Sequence, residues 1–186
     1  ETASIMNETI VMEAVLAETK TPAEALPILE VLLQNDSQVV VDIYSRFLFE
    51  SRLFEARKKA EITADEVSEL MLQAQKEAYG AGLDPKYLQK FMWTWKPHYY
   101  FGGAHFYNFP YTFGLLFGLG LYAIYKERGA AFIPQYEDLL AATGMEAAAP
   151  LAKRFGIDIT KPDFWRSSLA IIGKRIDRFA ELAKKA

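Results

Sequence analysis

Apolar residues recur along most of this chain at intervals of three and four positions, which is the spacing of one face of an α-helix. The alternation of apolar and polar residues that indicates a β-strand is nearly absent. The pattern therefore predicts an all-α fold. Helices are predicted over residues 2–18, 23–60, 64–79, 85–93, 106–128, 135–142 and 147–155, and from residue 162 to near the end of the chain.

Several helix boundaries can be predicted from local residues. Thr63 is followed three positions later by Glu66, a spacing typical of a capping box at a helix N-terminus. Within the long pattern of residues 23–60, irregularities are expected at Pro27 and at residues 35–37, where Asn, Asp and Ser follow one another. Residues 94–104 contain a proline and paired glycines, and they are predicted to form a loop.

Composition narrows the possible function. At 186 residues the chain is most simply one helical domain or subdomain, residues 1–186. The net charge of −3 gives no basic field that would attract nucleic acid, so no nucleic-acid partner is expected. The absence of cysteine excludes disulfides and cysteine-based metal sites, and it fits a reducing compartment. The most apolar stretch, residues 101–125, is interrupted by Asn108 and Pro110, so no membrane span is predicted.

The most unusual chemistry lies between residues 93 and 111. This stretch contains both histidines of the chain, His98 and His105, together with two tryptophans and several tyrosines. Tyr107 and Tyr111 are four positions apart, so a helix would place them on one face. Histidine and tyrosine can donate hydrogen bonds to a developing anion, which predicts a substrate-clamping surface. The alternative is an aromatic core whose tyrosine hydroxyls reach the surface.

Glu1 and Glu8 form a second candidate site. Their spacing of seven residues puts both carboxylates on one side of a helix. One carboxylate would ligate a metal ion and the other would orient a ligand through a hydrogen bond. The alternative is that both glutamates simply interact favourably with the start of a helix.

Five segments together resemble a known family. They are ETASIMNE (residues 1–8), WKPHYY (residues 95–100), FYNFPYTFG (residues 106–114), YEDLLAATGM (residues 136–145) and FGIDITKPDFW (residues 155–165). In this order they are similar to segments of the oligoendopeptidase F family of zinc metallopeptidases, the relatives of thimet oligopeptidase. The likeness begins just after the family's HExxH zinc motif, which is absent here. We therefore expect the multi-helix C-terminal part of a zincin-type catalytic domain, belonging to a longer protein.

The resemblance also implies roles for individual residues. Glu1 occupies the place of the third ligand of a single zinc ion, and Glu8 is a candidate for orienting a ligand. His98, with Tyr107 and Tyr111, would bind the substrate and stabilise the tetrahedral intermediate. His105 is the second choice for the catalytic histidine.

The function implied by the resemblance is zinc-dependent hydrolysis of short peptides. The expected partners are those peptides and the remainder of the parent peptidase, which carries HExxH, and the expected location is cytoplasmic. Without that remainder the piece is expected to be inactive. The alternative function is a non-enzymatic helical module that binds peptides on its aromatic loop and needs no metal.

Overall fold

The computed structural model describes residues 1–185, and within them it contains nine α-helices and no β-strand, which confirms the predicted all-α fold. The helices are α1 (Thr2–Glu18), α2 (Pro22–Ser37), α3 (Ile43–Arg57), α4 (Ala64–Tyr79), α5 (Met92–Trp95), α6 (Phe109–Arg128), α7 (Ile133–Ala141), α8 (Ala148–Arg154) and α9 (Pro162–Ala183). None of these helices is both long enough and apolar enough to cross a membrane.

The long helix predicted over residues 23–60 is divided between α2 and α3 by a π-helical turn at Gln38–Asp42. The Thr112 hydroxyl donates a hydrogen bond of 2.8 Å to the carbonyl of Val39, inside this turn. Carbonyls in π-turns are offset from the regular helical ladder, and here a distant side chain satisfies one of them. The predicted irregularity at residues 35–37 therefore lies just before the actual one, and Pro27 is accommodated inside α2.

Helix α4 begins as predicted. Thr63 accepts a hydrogen bond from the Glu66 amide, and the Glu66 carboxylate accepts one from the Thr63 amide. The helix predicted over residues 85–93 is wrong. The buried side chain of Gln75 donates to the carbonyl of Gln89 at 3.0 Å and accepts from its amide at 2.8 Å. Because these bonds occupy the backbone of Gln89, only a 3₁₀ turn at Pro85–Tyr87 and the short α5 form there.

The chain divides into two compact units. Unit 1 comprises Glu1–Gln34 and Phe113–Ala186, and unit 2 comprises Asn35–Thr112. The expectation that residues 1–186 form one domain or subdomain stays a prediction.

Unit 1 has two apolar clusters, one around α6 and one between α1, α2 and α9. Helices α1 and α6 approach closely because glycines line their contact. A Cβ atom on Gly114 would lie 2.6 Å from the Cβ of Glu1, and one on Gly118 would lie 3.2 Å from the carbonyl oxygen of Thr2. This close approach fixes the N-terminus of α1, and with it the backbone of Glu1.

Unit 2 is built on the packing of α3 against α4. Its core contains Phe49, Val67, Met71, Ala74 and Met92. The ring of Tyr99 packs edge-on against Phe49 with centroids 5.0 Å apart, so the segment after α5 is attached to this core.

Candidate functional site

The segment that carries His98 is held by hydrogen bonds of Trp93, in α5, and of Tyr100. The Trp93 indole donates to the hydroxyl of Ser68 on α4 at 3.1 Å, and the Tyr100 hydroxyl donates to the carbonyl of Trp93 at 2.9 Å. Between these anchors, a 3₁₀ turn at Pro97–Tyr99 presents the imidazole of His98. The predicted loop of residues 94–104 therefore includes the end of α5 and this 3₁₀ turn, and its other residues are not helical.

The structure brings together three of the four predicted residues of the aromatic segment. Nε2 of His98 lies 3.4 Å from the hydroxyl oxygen of Tyr111. The ring centroid of His98 is 6.2 Å from that of Tyr107 and 6.1 Å from that of Tyr111, and the two tyrosine rings are 6.5 Å apart. We call His98, Tyr107 and Tyr111 the His–Tyr cluster. Tyr107 is 49% exposed, so a bound molecule can reach the cluster.

His105 occupies a different environment. Its exposed ring lies edge-on to Phe54, with centroids 5.1 Å apart. The next residue, Phe106, has a φ of 58°, which is rare for a non-glycine residue. Its amide donates to the carboxylate of Glu50 at 2.8 Å, and this bond holds the unusual turn before Tyr107. Burial raises the pKa of Glu50, partly offset by this hydrogen bond and by His105.

The surroundings of His98 favour its neutral form. Burial lowers the pKa of the imidazole, and the nearby cations Arg46 and Lys96 lower it further. A neutral imidazole has one nitrogen that donates and one that accepts a hydrogen bond. At neutral pH the His–Tyr cluster therefore offers hydrogen-bonding groups without a positive charge on its histidine.

A buried ionic network in unit 2 was not foreseen from the sequence. Arg46 forms an ion pair with Asp42, one helical turn earlier, and both side chains are almost fully buried. The Tyr79 hydroxyl donates to Asp42 at 3.2 Å, and burial together with Asp42 raises the pKa of Tyr79 to about 12. Arg46 also donates from Nη1 to Oδ1 of Asn108 at 3.1 Å. The only sequence signal was the four-residue spacing of Asp42 and Arg46, which is common on exposed helices.

Glu1 and Glu8 both have exposed side chains. Glu1 is the N-cap residue of α1, where its carbonyl accepts a hydrogen bond of 2.8 Å from the hydroxyl of Ser4. Within residues 1–185, no three His, Cys, Asp or Glu residues are grouped so that they could hold a metal ion. An exposed carboxylate on a fixed backbone fits one position of a zinc site whose other ligands come from elsewhere.

A cavity of about 410 Å³ within unit 1 opens beside Glu1. Its walls are mainly apolar and include Phe113, Phe117, Leu139 and Leu151. This volume falls within the range of small-molecule binding pockets.

Comparison with known proteins supports the family resemblance. No protein-family model matches the chain. All 186 residues align at 22% identity with oligopeptidase PepF of Bacillus subtilis, strain 168, and cover 27% of it. The fold matches the crystal structure of oligoendopeptidase-F from Enterococcus faecium with a TM-score of 0.84 and 22% identity, over 98% of this chain and 35% of that one.

The chain thus spans about a third or less of the length of these relatives. The resemblance to the oligoendopeptidase F family is confirmed, as is the expected all-α fold.

Proposed function

We propose that this chain is the C-terminal part of a zinc-dependent oligoendopeptidase that hydrolyses short peptides, and that it acts in the cytoplasm. The similarity to an oligopeptidase over the whole chain supports peptide hydrolysis. The observation that carries the proposal is the His–Tyr cluster, in which Nε2 of His98 and the hydroxyl of Tyr111 lie 3.4 Å apart. In this proposal Glu1 contributes a metal ligand, and the His–Tyr cluster contributes groups that bind the reacting peptide.

The metal ligand in this proposal is the carboxylate of Glu1, and HExxH in the rest of the protein provides the others. Zinc, when bound, would polarise the scissile carbonyl and lower the pKa of water. The close contact between Glu1 and Gly114 fixes the backbone of Glu1, so the binding of zinc would cost little conformational entropy there. Glu8 remains a candidate for orienting a ligand by a hydrogen bond.

The proposed task of the His–Tyr cluster is to stabilise negative charge on the carbonyl oxygen as it becomes tetrahedral. Hydrogen-bond donors fixed in advance are effective because they need no reorganisation during the reaction. The tyrosine hydroxyls donate without carrying charge, and the neutral imidazole of His98 orients the hydroxyl of Tyr111. His105, which packs on Phe54, stays the second choice for the histidine.

The test is turnover of a short peptide by the full-length protein carrying Tyr107→Phe. This change removes one hydroxyl and keeps the ring, so we expect kcat to fall about 100-fold, as for other lost oxyanion donors. Tyr87→Phe is the matched control, since Tyr87 is 68% exposed and lies outside the cluster. An unchanged kcat would remove Tyr107 from the mechanism.

The second candidate function is a peptide-binding module without catalysis. Exposed aromatic side chains near the cluster favour it, because Trp95 is 60% exposed and Tyr100 is 61% exposed. Such rings are typical anchors in binding surfaces. This alternative predicts that the full-length protein binds short peptides and releases them uncut.

A further inference from the structure

Arg46 connects the core of unit 2 to the segment that carries both tyrosines of the His–Tyr cluster. Its side chain is buried on α3, and Nη1 donates to the amide oxygen of Asn108 at 3.1 Å. Asn108 is only 3% exposed and lies between Tyr107 and Tyr111. It is the one residue of the stretch 105–111 whose side chain is fully buried, so it attaches that stretch to the core.

The arrangement is poorly explained as a device for stability. Nε of Arg46 and Nδ2 of Asn108 are buried, and each lacks a hydrogen-bond partner within the described residues. Buried donors without partners cost stability. Replacing a buried ion pair by apolar residues of similar size often leaves a protein equally or more stable. The polar contact between Arg46 and Asn108 is therefore better explained by its effect on the position and the charge of neighbouring groups than by its effect on stability.

Charge is the second effect of Arg46. The groups that face His98 are Lys96 from its own segment, Arg46 from α3, Tyr107 from the turn before α6, and Tyr111 from the first turn of α6. The two cations repel a proton on the imidazole, and the tyrosines are neutral at ordinary pH. Arg46 thus acts on the histidine through space and on the tyrosines through Asn108.

We propose that Arg46 is a positioning residue for the His–Tyr cluster, acting through its hydrogen bond to Asn108. The inference deepens the proposed function and rests on it. The bond fixes the backbone between Tyr107 and Tyr111, and so keeps the Tyr111 hydroxyl next to His98. The sequence pattern did not indicate this role, because the two partners are 62 residues apart.

Two variants of the full-length protein distinguish an effect on the position of the His–Tyr cluster from an effect on folding. Asn108→Leu keeps nearly the same volume and removes the acceptor. The double variant Asp42→Leu with Arg46→Met removes the whole buried ion pair, so that no charge is left alone in the core. Arg52→Met is the matched control, since Arg52 is also on α3 but pairs with Glu77 at the surface.

The first readout is the kinetics of short-peptide hydrolysis. Misplacement of a catalytic group by about 1 Å can cost on the order of 100-fold in rate, so both variants are expected to lose at least about 10-fold in kcat with a smaller change in KM. The control is expected to keep the wild-type kcat. A wild-type kcat in either variant overturns the proposal.

The second readout does not depend on activity. In protein labelled with fluorotyrosine, the ¹⁹F resonance of Tyr111 is assigned by its loss in Tyr111→Phe. The proposal predicts that this resonance shifts and broadens in Asn108→Leu and stays unchanged in Arg52→Met. If the full-length protein cleaves no peptide, the proposed function fails and this resonance alone decides the inference: an unshifted signal in Asn108→Leu overturns it.

Discussion

The hydroxyl of Tyr111 lies 3.4 Å from Nε2 of His98, although the two residues are thirteen positions apart in the sequence. The contact unites a 3₁₀ turn with the first turn of α6. It places a neutral donor and a neutral acceptor at one point, beside the exposed ring of Tyr107. Chemistry that creates an anion at a carbonyl oxygen needs donors arranged in this way.

The pKa of His98 leads to a prediction about pH dependence. Burial, Arg46 and Lys96 lower this pKa below its usual value, so the imidazole is neutral at pH 7 and becomes protonated only in acid. If the neutral form is active, kcat/KM should fall as the pH drops below about 6.5. Lys96→Met removes one repelling cation and raises the pKa, so this fall should begin at a higher pH.

The control for that experiment is Lys90→Met, which removes a lysine that lies over the ring of Phe91. It should leave the pH profile of kcat/KM unchanged. If the fall of kcat/KM at low pH has the same midpoint in Lys96→Met and in the wild type, protonation of His98 does not cause that fall.

A different prediction concerns Gly114 and the zinc content. An alanine here would place its Cβ 2.6 Å from the Cβ of Glu1, so the start of α1 must move. We expect Gly114→Ala to lower the zinc bound per molecule of full-length protein, measured by elemental analysis after dialysis. Gly173→Ala is the control, because Gly173 has nothing within 4 Å of an added Cβ and lies within α9. Equal zinc content in both variants would contradict the placement of the ligand.

The capping box of α4 offers a test of the fold alone. Thr63→Ala removes the side chain that accepts from the Glu66 amide, and the free energy of unfolding should fall by about 0.5–2 kcal/mol. Thr63→Ser retains the hydroxyl and should lose much less. Urea denaturation followed by circular dichroism measures both variants, and equal loss would show that the hydroxyl is not what stabilises this helix end.

Features fixed by neighbouring residues could be predicted from the sequence. Helix α1 has the predicted bounds, and the capping box at Thr63 has both of its hydrogen bonds. Each depends on side chains within one or two helical turns. Tyr107 and Tyr111 are also close, with ring centroids 6.5 Å apart, but Tyr107 lies in a turn before α6, so the two rings do not share a helix face as the spacing predicted.

Features fixed by distant residues could not be predicted. The π-turn in front of α3 is satisfied by Thr112, 73 residues away, and the failed helix at residues 85–93 is due to Gln75, 14 residues away. The bond from Arg46 to Asn108 is of the same kind. The spacing of apolar residues indicates which face of a helix is buried. It does not indicate which backbone groups will form hydrogen bonds with side chains that are distant in the sequence.

Zinc-dependent peptide hydrolysis can be tested by following cleavage of a short fluorogenic peptide by the full-length protein, before and after removal of metal with a chelator. We expect cleavage that disappears on chelation and returns when about one equivalent of zinc is restored, since a single catalytic ion is expected. Cleavage that persists in metal-free protein would contradict the zinc mechanism. Binding of the peptide without cleavage, at any zinc level, would contradict the peptidase itself and leave the peptide-binding module as the function.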